Sequence, residues 1–288
     1  MIKIIFIDNN NPTCIYLSPY LNFKKFAAMI LKRLLILPFL FTLLCISIVS
    51  YSKSKEELYE IRIYHLKNKE QENRIDAYLK DAFLPVMKRN GIHKVGVFKP
   101  IGNDTAKTRL IYLLIPYKSE KQYFNLSAQL NKDKQFMLDG QEYHNAAYNN
   151  IPYNRIESIL LKAFYNTFLQ QPVLKNDLVK RIYELRSYEG PTEKLFRNKV
   201  HMFNEGQETE IFRRLGFNPV FYGEVLAGSR TPNLMYMTSF EDMVSRDAHW
   251  KEFRIDPFWK KLSAMPFYKN NVSKSSIIFL QPTSYSGI

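Results

Sequence analysis

Tyr59-Glu60-Ile61-Arg62 recurs as Tyr183-Glu184-Leu185-Arg186, and each tetrad is closed two residues later by a tyrosine, Tyr64 or Tyr188. Agreement continues downstream at nearly constant offset, which is the mark of one structural unit written twice. In a chain of 288 residues that leaves two units of about 100 residues, a usual size for a region with its own core.

The first unit reads as a strand over 58–66, a helix over 69–90 stopped by Asn90-Gly91, and strands over 94–100 and 109–117 around the polar turn Gly102-Asn103-Asp104. Spacing of three and four between Ile75, Tyr78, Leu79, Phe83 and Val86 makes the helix; alternation makes the strands. A second helix starts after Ser119, an N-cap followed by Glu120, and runs to Asp139-Gly140, and a strand over 156–164 closes the unit. The second unit repeats the order: strand 182–188, helix from Thr192 to Leu215 stopped by Gly216, strands 219–226 and 234–240 around Gly228-Ser229-Arg230-Thr231-Pro232, helical spacing over 243–262, strand 276–281. Each unit is βαββαβ, the ferredoxin-like order, so the fold class is α+β. A sheet covered by helices on one face leaves an apolar face that a second copy can cover.

Four stretches resemble the NIPSNAP family in order and spacing: Tyr183-Glu184-Leu185-Arg186-Ser187-Tyr188, Pro219-Val220-Phe221-Tyr222-Gly223-Glu224, Leu234-Met235-Tyr236-Met237-Thr238-Ser239-Phe240 and Arg254-Ile255-Asp256-Pro257-Phe258-Trp259. The resemblance is strong over 181–288 and weaker over 56–165, joined by a linker over 166–180. It implies the dimeric α+β barrel group, with both ferredoxin-like units in one chain forming the barrel internally. Animal mitochondrial members are linked to vesicle traffic and to marking damaged organelles through protein contacts.

That setting differs from what precedes residue 52. Lys32-Arg33, the apolar run Leu34 to Val49 and small residues around Ser50-Tyr51-Ser52 read as a secretory signal over 29–52. Met29 just ahead of it marks residues 1–28 as an upstream extension. An uncleaved membrane anchor is the competing reading, but the run is shorter than the ~20 apolar residues of a spanning helix, so a periplasmic or secreted protein with no transmembrane span after cleavage is the expectation. Both cysteines, Cys14 and Cys45, fall in this region, so the mature chain would have neither a disulfide nor a thiol nucleophile. Of the net charge of +14, residues 1–52 hold five basic residues and one acid, which leaves ten net positive charges downstream. The lysines are scattered and no nucleic-acid motif stands out, so a solvated basic surface and no nucleic-acid partner are expected.

Period two places Glu60, Arg62 and Tyr64 on one face of the first strand and Tyr59, Ile61 and Ile63 on the other, with the same split for Glu184, Arg186 and Tyr188. The more apolar face is expected under the helices, which turns Glu, Arg and Tyr of both copies into the barrel interior. Buried there, Glu60 with Arg62 and Glu184 with Arg186 would form an ion-pair network, since unpaired buried charge costs several kcal/mol. The alternative is a polar cavity gripping a small anionic or phenolic ligand, with Tyr188 and Tyr222 as walls. His249, in a stretch resembling the family, joins this set of ligand-binding candidates.

The five histidines are scattered, and only His201 with Glu205 has the i, i+4 spacing of two ligands, so no metal or cofactor is expected. Trp250, Phe253, Phe258 and Trp259 read as core around the helix break at Pro257. No phosphate loop, nucleophile elbow or zincin helix is present. The sequence thus leans away from an enzyme and towards a protein that binds a small ligand or a protein partner through a tandem barrel. A cofactor-independent monooxygenase or isomerase using the cavity is the alternative, a component of a cell-surface assembly is a third class, and oligomerisation is left open.

Overall fold

The structure, a computed structural model, describes residues 3–8, 11–16, 57–165 and 167–288. The signal read at 29–52 lies outside the described residues. Lys3–Asp8 (β1) pairs antiparallel with Asn11–Tyr16 (β2) within a unit of its own, Met1–Lys53; residues 54–288 form the second unit.

In that second unit the predicted order of elements holds in both repeats. The first has β3 (Leu58–Leu66), α1 (Lys69–Ala77) and α2 (Leu84–Arg89) joined by a π-helical turn, β4 (Gly96–Pro100), β5 (Arg109–Tyr117), α3 (Glu120–Leu130), α4 (Lys134–Asp139), α5 (Gln141–His144) and β6 (Arg155–Ala163). The second has β7 (Ile182–Glu189), α6 (Glu193–Phe203), α7 (Glu208–Arg214), β8 (Asn218–Ala227), β9 (Asn233–Phe240), α8 (Met243–Ile255), α9 (Pro257–Ala264) and β10 (Lys274–Pro282).

Each predicted long helix is broken, and each break has a local cause. Pro85 has no N–H to return to the preceding turn, and the chain widens just before it: Leu84 N–H donates to Leu79 O, five residues back. Asp133 starts α4 by accepting from Phe136 N at 2.8 Å, Gln207 at φ 61° interrupts the 192–215 helix, and Asp256 restarts the chain at Pro257 by accepting from Trp259 N at 3.0 Å. Ser119 and Thr192 cap their helices as expected.

All eight strands of this unit close into one antiparallel barrel in the order β10-β4-β5-β3-β6-β8-β9-β7. Within each repeat the first strand lies between the third and fourth, as in ferredoxin-like sheets, and the two sheets join reciprocally: β6 pairs β8 through Leu161–Val225, and β10 pairs β4 through Leu280–Pro100. Matching register makes Tyr59 equivalent to Tyr183, Ile63 to Ser187, Tyr112 to Met235, Glu157 to Ser276 and Phe98 to Gly223.

Three apolar clusters follow from this closure. One lies between the first sheet and its helices, one between the second sheet and its helices, and the third fills the barrel. The third contains Tyr59, Ile61, Ile63, Tyr183 and Leu185, so the expected orientation is reversed: the apolar face points inward, and Glu60, Arg62, Tyr64, Glu184, Arg186 and Tyr188 lie under the helices. The reason is a supply of partners. Inside a closed barrel every wall is strand whose backbone groups are already paired, whereas under the helices Glu184 receives donors from a helix and Glu60 from the outward-facing side chains of its own sheet. Full burial of each large apolar side chain adds ~1.5–3 kcal/mol, which favours the inward apolar face again.

Candidate functional site

The sequence candidates fall into two separate layers. In the first, Glu60, 3% exposed, accepts from Arg62 Nε at 2.9 Å, Tyr117 Oη at 2.8 Å and Ser158 Oγ at 2.9 Å. Burial alone would raise its pKa; Arg62, Tyr117 and Ser158 outweigh burial and hold it below the usual carboxylate value. Tyr64 sits edge-on to Tyr153 with centroids 5.8 Å apart.

In the second layer Glu184 is fully buried and accepts from Arg186 Nε at 2.6 Å, Arg246 Nε at 2.8 Å and Trp250 Nε1 at 2.8 Å. Burial again opposes its ionisation, and Arg246, Arg186 and Trp250 again win, lowering its pKa. Arg186 lies 3.7 Å over the Trp250 ring and donates to Tyr188 Oη at 3.1 Å, which is 2.9 Å from Tyr236 Oη. Tyr222 stacks on Tyr236 here, its hydroxyl buried without a partner. His249 stands apart, edge-on to Phe217, with Nδ1 2.7 Å from Ser245 O. These residues hold helices on sheets, and none of them lines the barrel cavity.

That cavity lies inside, and only at one end. The other end is filled by two aromatic pairs, Tyr59 with Phe221 at 5.4 Å and Phe98 with Tyr183 at 4.9 Å. Phe98 and Gly223 are equivalent, as are Gly96 and Phe221, so phenylalanine and glycine have exchanged places along the strand. A Cβ on Gly96 would fall 2.4 Å from the Phe98 ring, so glycine is what lets that ring fold back into the filled layer. Leu169 and Ile288, which follow the last strand of each repeat, join the same cluster.

At the open end a cavity of about 230 Å³ remains. Ile159, Leu185 and Ile278 form its floor, Tyr112, Glu157, Ser187 and Ser276 its waist, and His65, Arg230 and Asn233 its rim. His65 Nε2 is 3.5 Å from Glu157 Oε2, Ser229 Oγ donates to Glu157 Oε1 at 3.4 Å, and Ser187 Oγ donates to Asn233 Oδ1 at 3.0 Å. Arg230 Nη1 stands 3.8 Å from Glu189 Oε1, too far for a hydrogen bond. Among the described residues the hydroxyls of Tyr112 and Ser276 have no hydrogen-bond partner. Burial, and then the charge of Glu157, push the Tyr112 phenol up to about 12, with Arg230 pulling the other way. Among the described residues no group of three or more His, Cys, Asp and Glu is placed to hold a metal.

Sequence reasoning missed these mouth residues because it assigned the faces the wrong way round. The usable signal was the inward series Tyr59, Ile61, Ile63, His65: an apolar alternation that turns polar at its last member marks where a barrel opens to water.

The model of the NIPSNAP family matches residues 183–287. The second repeat is the part of the chain that is similar to this family. No curated protein matches the chain. Among solved structures, a protein of Lactobacillus acidophilus NCFM provisionally named a monooxygenase is similar at 10% identity and a TM-score of 0.52, covering 78% of this chain and 93% of its own. A second protein with that provisional name, from Fusobacterium nucleatum subsp. nucleatum ATCC 25586, is 12% identical with a TM-score of 0.50, over 80% of this chain and 93% of its own. A NIPSNAP family protein of Agrobacterium tumefaciens str. C58 is 21% identical over 37% of this chain and 96% of its own, with a TM-score of 0.32. At these identities the likeness to the first two is one of fold: a dimeric α+β barrel, here closed within a single chain. The second repeat supplies Ser187, Arg230, Asn233 and Ser276 to the mouth, and the first repeat supplies His65, Tyr112 and Glu157. Among the described residues no helix is long and apolar enough to cross a membrane.

Proposed function

We propose that this chain binds a small, largely apolar molecule at the open end of its barrel. The reading rests on a dead-ended cavity of about 230 Å³ with an apolar floor and an idle phenol at its waist. Eight-stranded barrels have room for side chains or one small ligand, and here side chains fill only one end. An apolar cavity of ~150 Å³ accepts benzene and drug-sized ligands occupy ~300–1,000 Å³, so this one suits a single ring with a short substituent. Binding fits the mouth better than turnover. Tyr112, held protonated at neutral pH, offers a hydrogen bond rather than a base, and Glu157 is already engaged by His65 and Ser229.

Native mass spectrometry of protein from its own host tests this. A small-molecule adduct on the wild type that is absent from Ile159→Trp, which fills the cavity, supports the reading. An adduct retained by folded Ile159→Trp, or a wild type that carries none and binds no single-ring probe, overturns it.

The signal-like segment before residue 53 supports export, so the ligand would be met outside the cytoplasm. N-terminal sequencing of the host protein checks that: a start near residue 53 supports export, and retention of Leu34 to Val49 removes the ground for it.

A further inference from the structure

The cavity mouth has more to say about its ligand than size. The acceptors that line it are occupied: the Glu157 carboxylate faces His65 and receives Ser229, and Asn233 Oδ1 receives Ser187, while Glu189 Oε1, buried without a hydrogen bond, does not line the cavity. Three of its donors are idle. The hydroxyls of Tyr112 and Ser276, on the two opposed repeats at equivalent depth, have no partner among the described residues, and Arg230 makes no hydrogen bond to Glu189. A ligand filling this space must bring an acceptor, because an idle donor cut off from water forfeits its hydration without return.

Charge decides which acceptor. Two carboxylates, Glu157 in the lining and Glu189 3.8 Å from Arg230 behind it, stand against the single guanidinium of Arg230. Glu157 outweighs Arg230 in its effect on the Tyr112 hydroxyl. A ligand carboxylate there would meet net negative surroundings, whereas a neutral oxygen accepts from the donors without that repulsion.

We infer that the ligand is an uncharged carbonyl compound, its ring on the apolar floor of Ile159, Leu185 and Ile278 and its oxygen between Tyr112 Oη and Ser276 Oγ. This rests on the cavity reading above, and three probes of matched size separate the two: ethylbenzene, acetophenone and benzoate, titrated by ligand-observed NMR against the full chain. Acetophenone is expected to bind about fivefold tighter than ethylbenzene, the worth of one neutral hydrogen bond, and benzoate weakest. Tyr112→Phe is expected to erase the gap between acetophenone and ethylbenzene while leaving ethylbenzene affinity unchanged; Ser276→Ala narrows the same gap. If no probe binds the wild type, the cavity reading falls and this inference with it. If ethylbenzene binds and acetophenone binds no better, or if benzoate binds tightest, the inference alone is overturned. A preference for acetophenone that survives both variants overturns the placement of its oxygen.

Discussion

Glu60 and Glu184 occupy the same place in the two repeats and keep the same strand neighbour, Arg62 or Arg186, yet their remaining donors are unrelated. In the first repeat they come from strands: Tyr117 on β5 and Ser158 on β6. At the equivalent positions the second repeat has Phe240 and Ile277, which cannot donate. Helix α8 replaces them with Arg246 and Trp250, four residues apart and so on one helical face. The first repeat has a helix at this point too, α3, but counted from the N-caps Ser119 and Asp242 it carries Tyr123 and Ser127 where α8 carries Arg246 and Trp250. A buried carboxylate thus fixes how many donors must reach it and leaves open which element sends them. The barrel interior shows the same division by depth. Tyr59 and Tyr183, Ile61 and Leu185, and Leu161 and Leu280 match in the deep layers, while at the mouth Tyr112 faces Met235 as its counterpart and Glu157 faces Ser276.

The sharpest way to break this comparison is Glu184→Ala, which strands Arg186 and Arg246 side by side in a dry layer. A loss of ~3–5 kcal/mol in denaturant unfolding is expected, against a smaller loss for Glu60→Ala, whose partner Arg62 keeps about a quarter of its side chain in water. Equal losses would remove the claim that α8 has made the second copy the more dependent. Next come the donors. Trp250→Phe removes a hydrogen bond to a carboxylate and weakens the stacking under Arg186, and Tyr117→Phe, which installs what the second repeat already has, removes one hydrogen bond. Both should cost ~1.5–3 kcal/mol, with Trp250 the larger.

Acid should then tell the repeats apart. Glu72 on α1 has its carboxylate buried among Lys99, Lys69 and Arg109; burial opposes its ionisation, and their hydrogen bonds prevail and lower its pKa from 4.5 to about 2. Its folded pKa lies below the unfolded one, so its stabilisation is complete above pH 4.5 and is lost as pH falls towards 2. Glu72→Gln should flatten stability over that window, and an unchanged slope would assign the acid limb to Glu60 and Glu184, whose pKa values are lowered as well. The smallest effect belongs to Tyr222→Phe. Its hydroxyl is buried without a partner, and the equivalent residue in the first repeat is the apolar Val97. A change within about 0.5 kcal/mol, or a slight gain, is expected in thermal unfolding.

The duplication, the order of all twelve predicted elements and strands such as Leu58–Leu66 and Arg109–Tyr117 were legible, because period, caps and glycine stops are local properties of the chain. Helix breaks were partly legible: Pro257 announced one, while the π turn before Pro85 depends on how the widened turn packs. Period two also fixed which residues share a face, Glu60 with Arg62 and Tyr64, Tyr59 with Ile61 and Ile63. It could not say which face looks inward, since alternation is the same whichever side the helices cover. Only tertiary structure decided that, by bringing Arg246 and Trp250 from a helix 60 residues or so away to Glu184 and by closing two sheets over Tyr59, Ile61, Ile63, Tyr183 and Leu185, which leaves Glu60 to the donors on the outward face of its own sheet. The cavity was decided there too: it exists because the exchanged glycine and phenylalanine fill one end of the barrel and the mismatched layer of Tyr112, Met235, Glu157 and Ser276 leaves the other open, an outcome of packing across both repeats that neither repeat encodes alone.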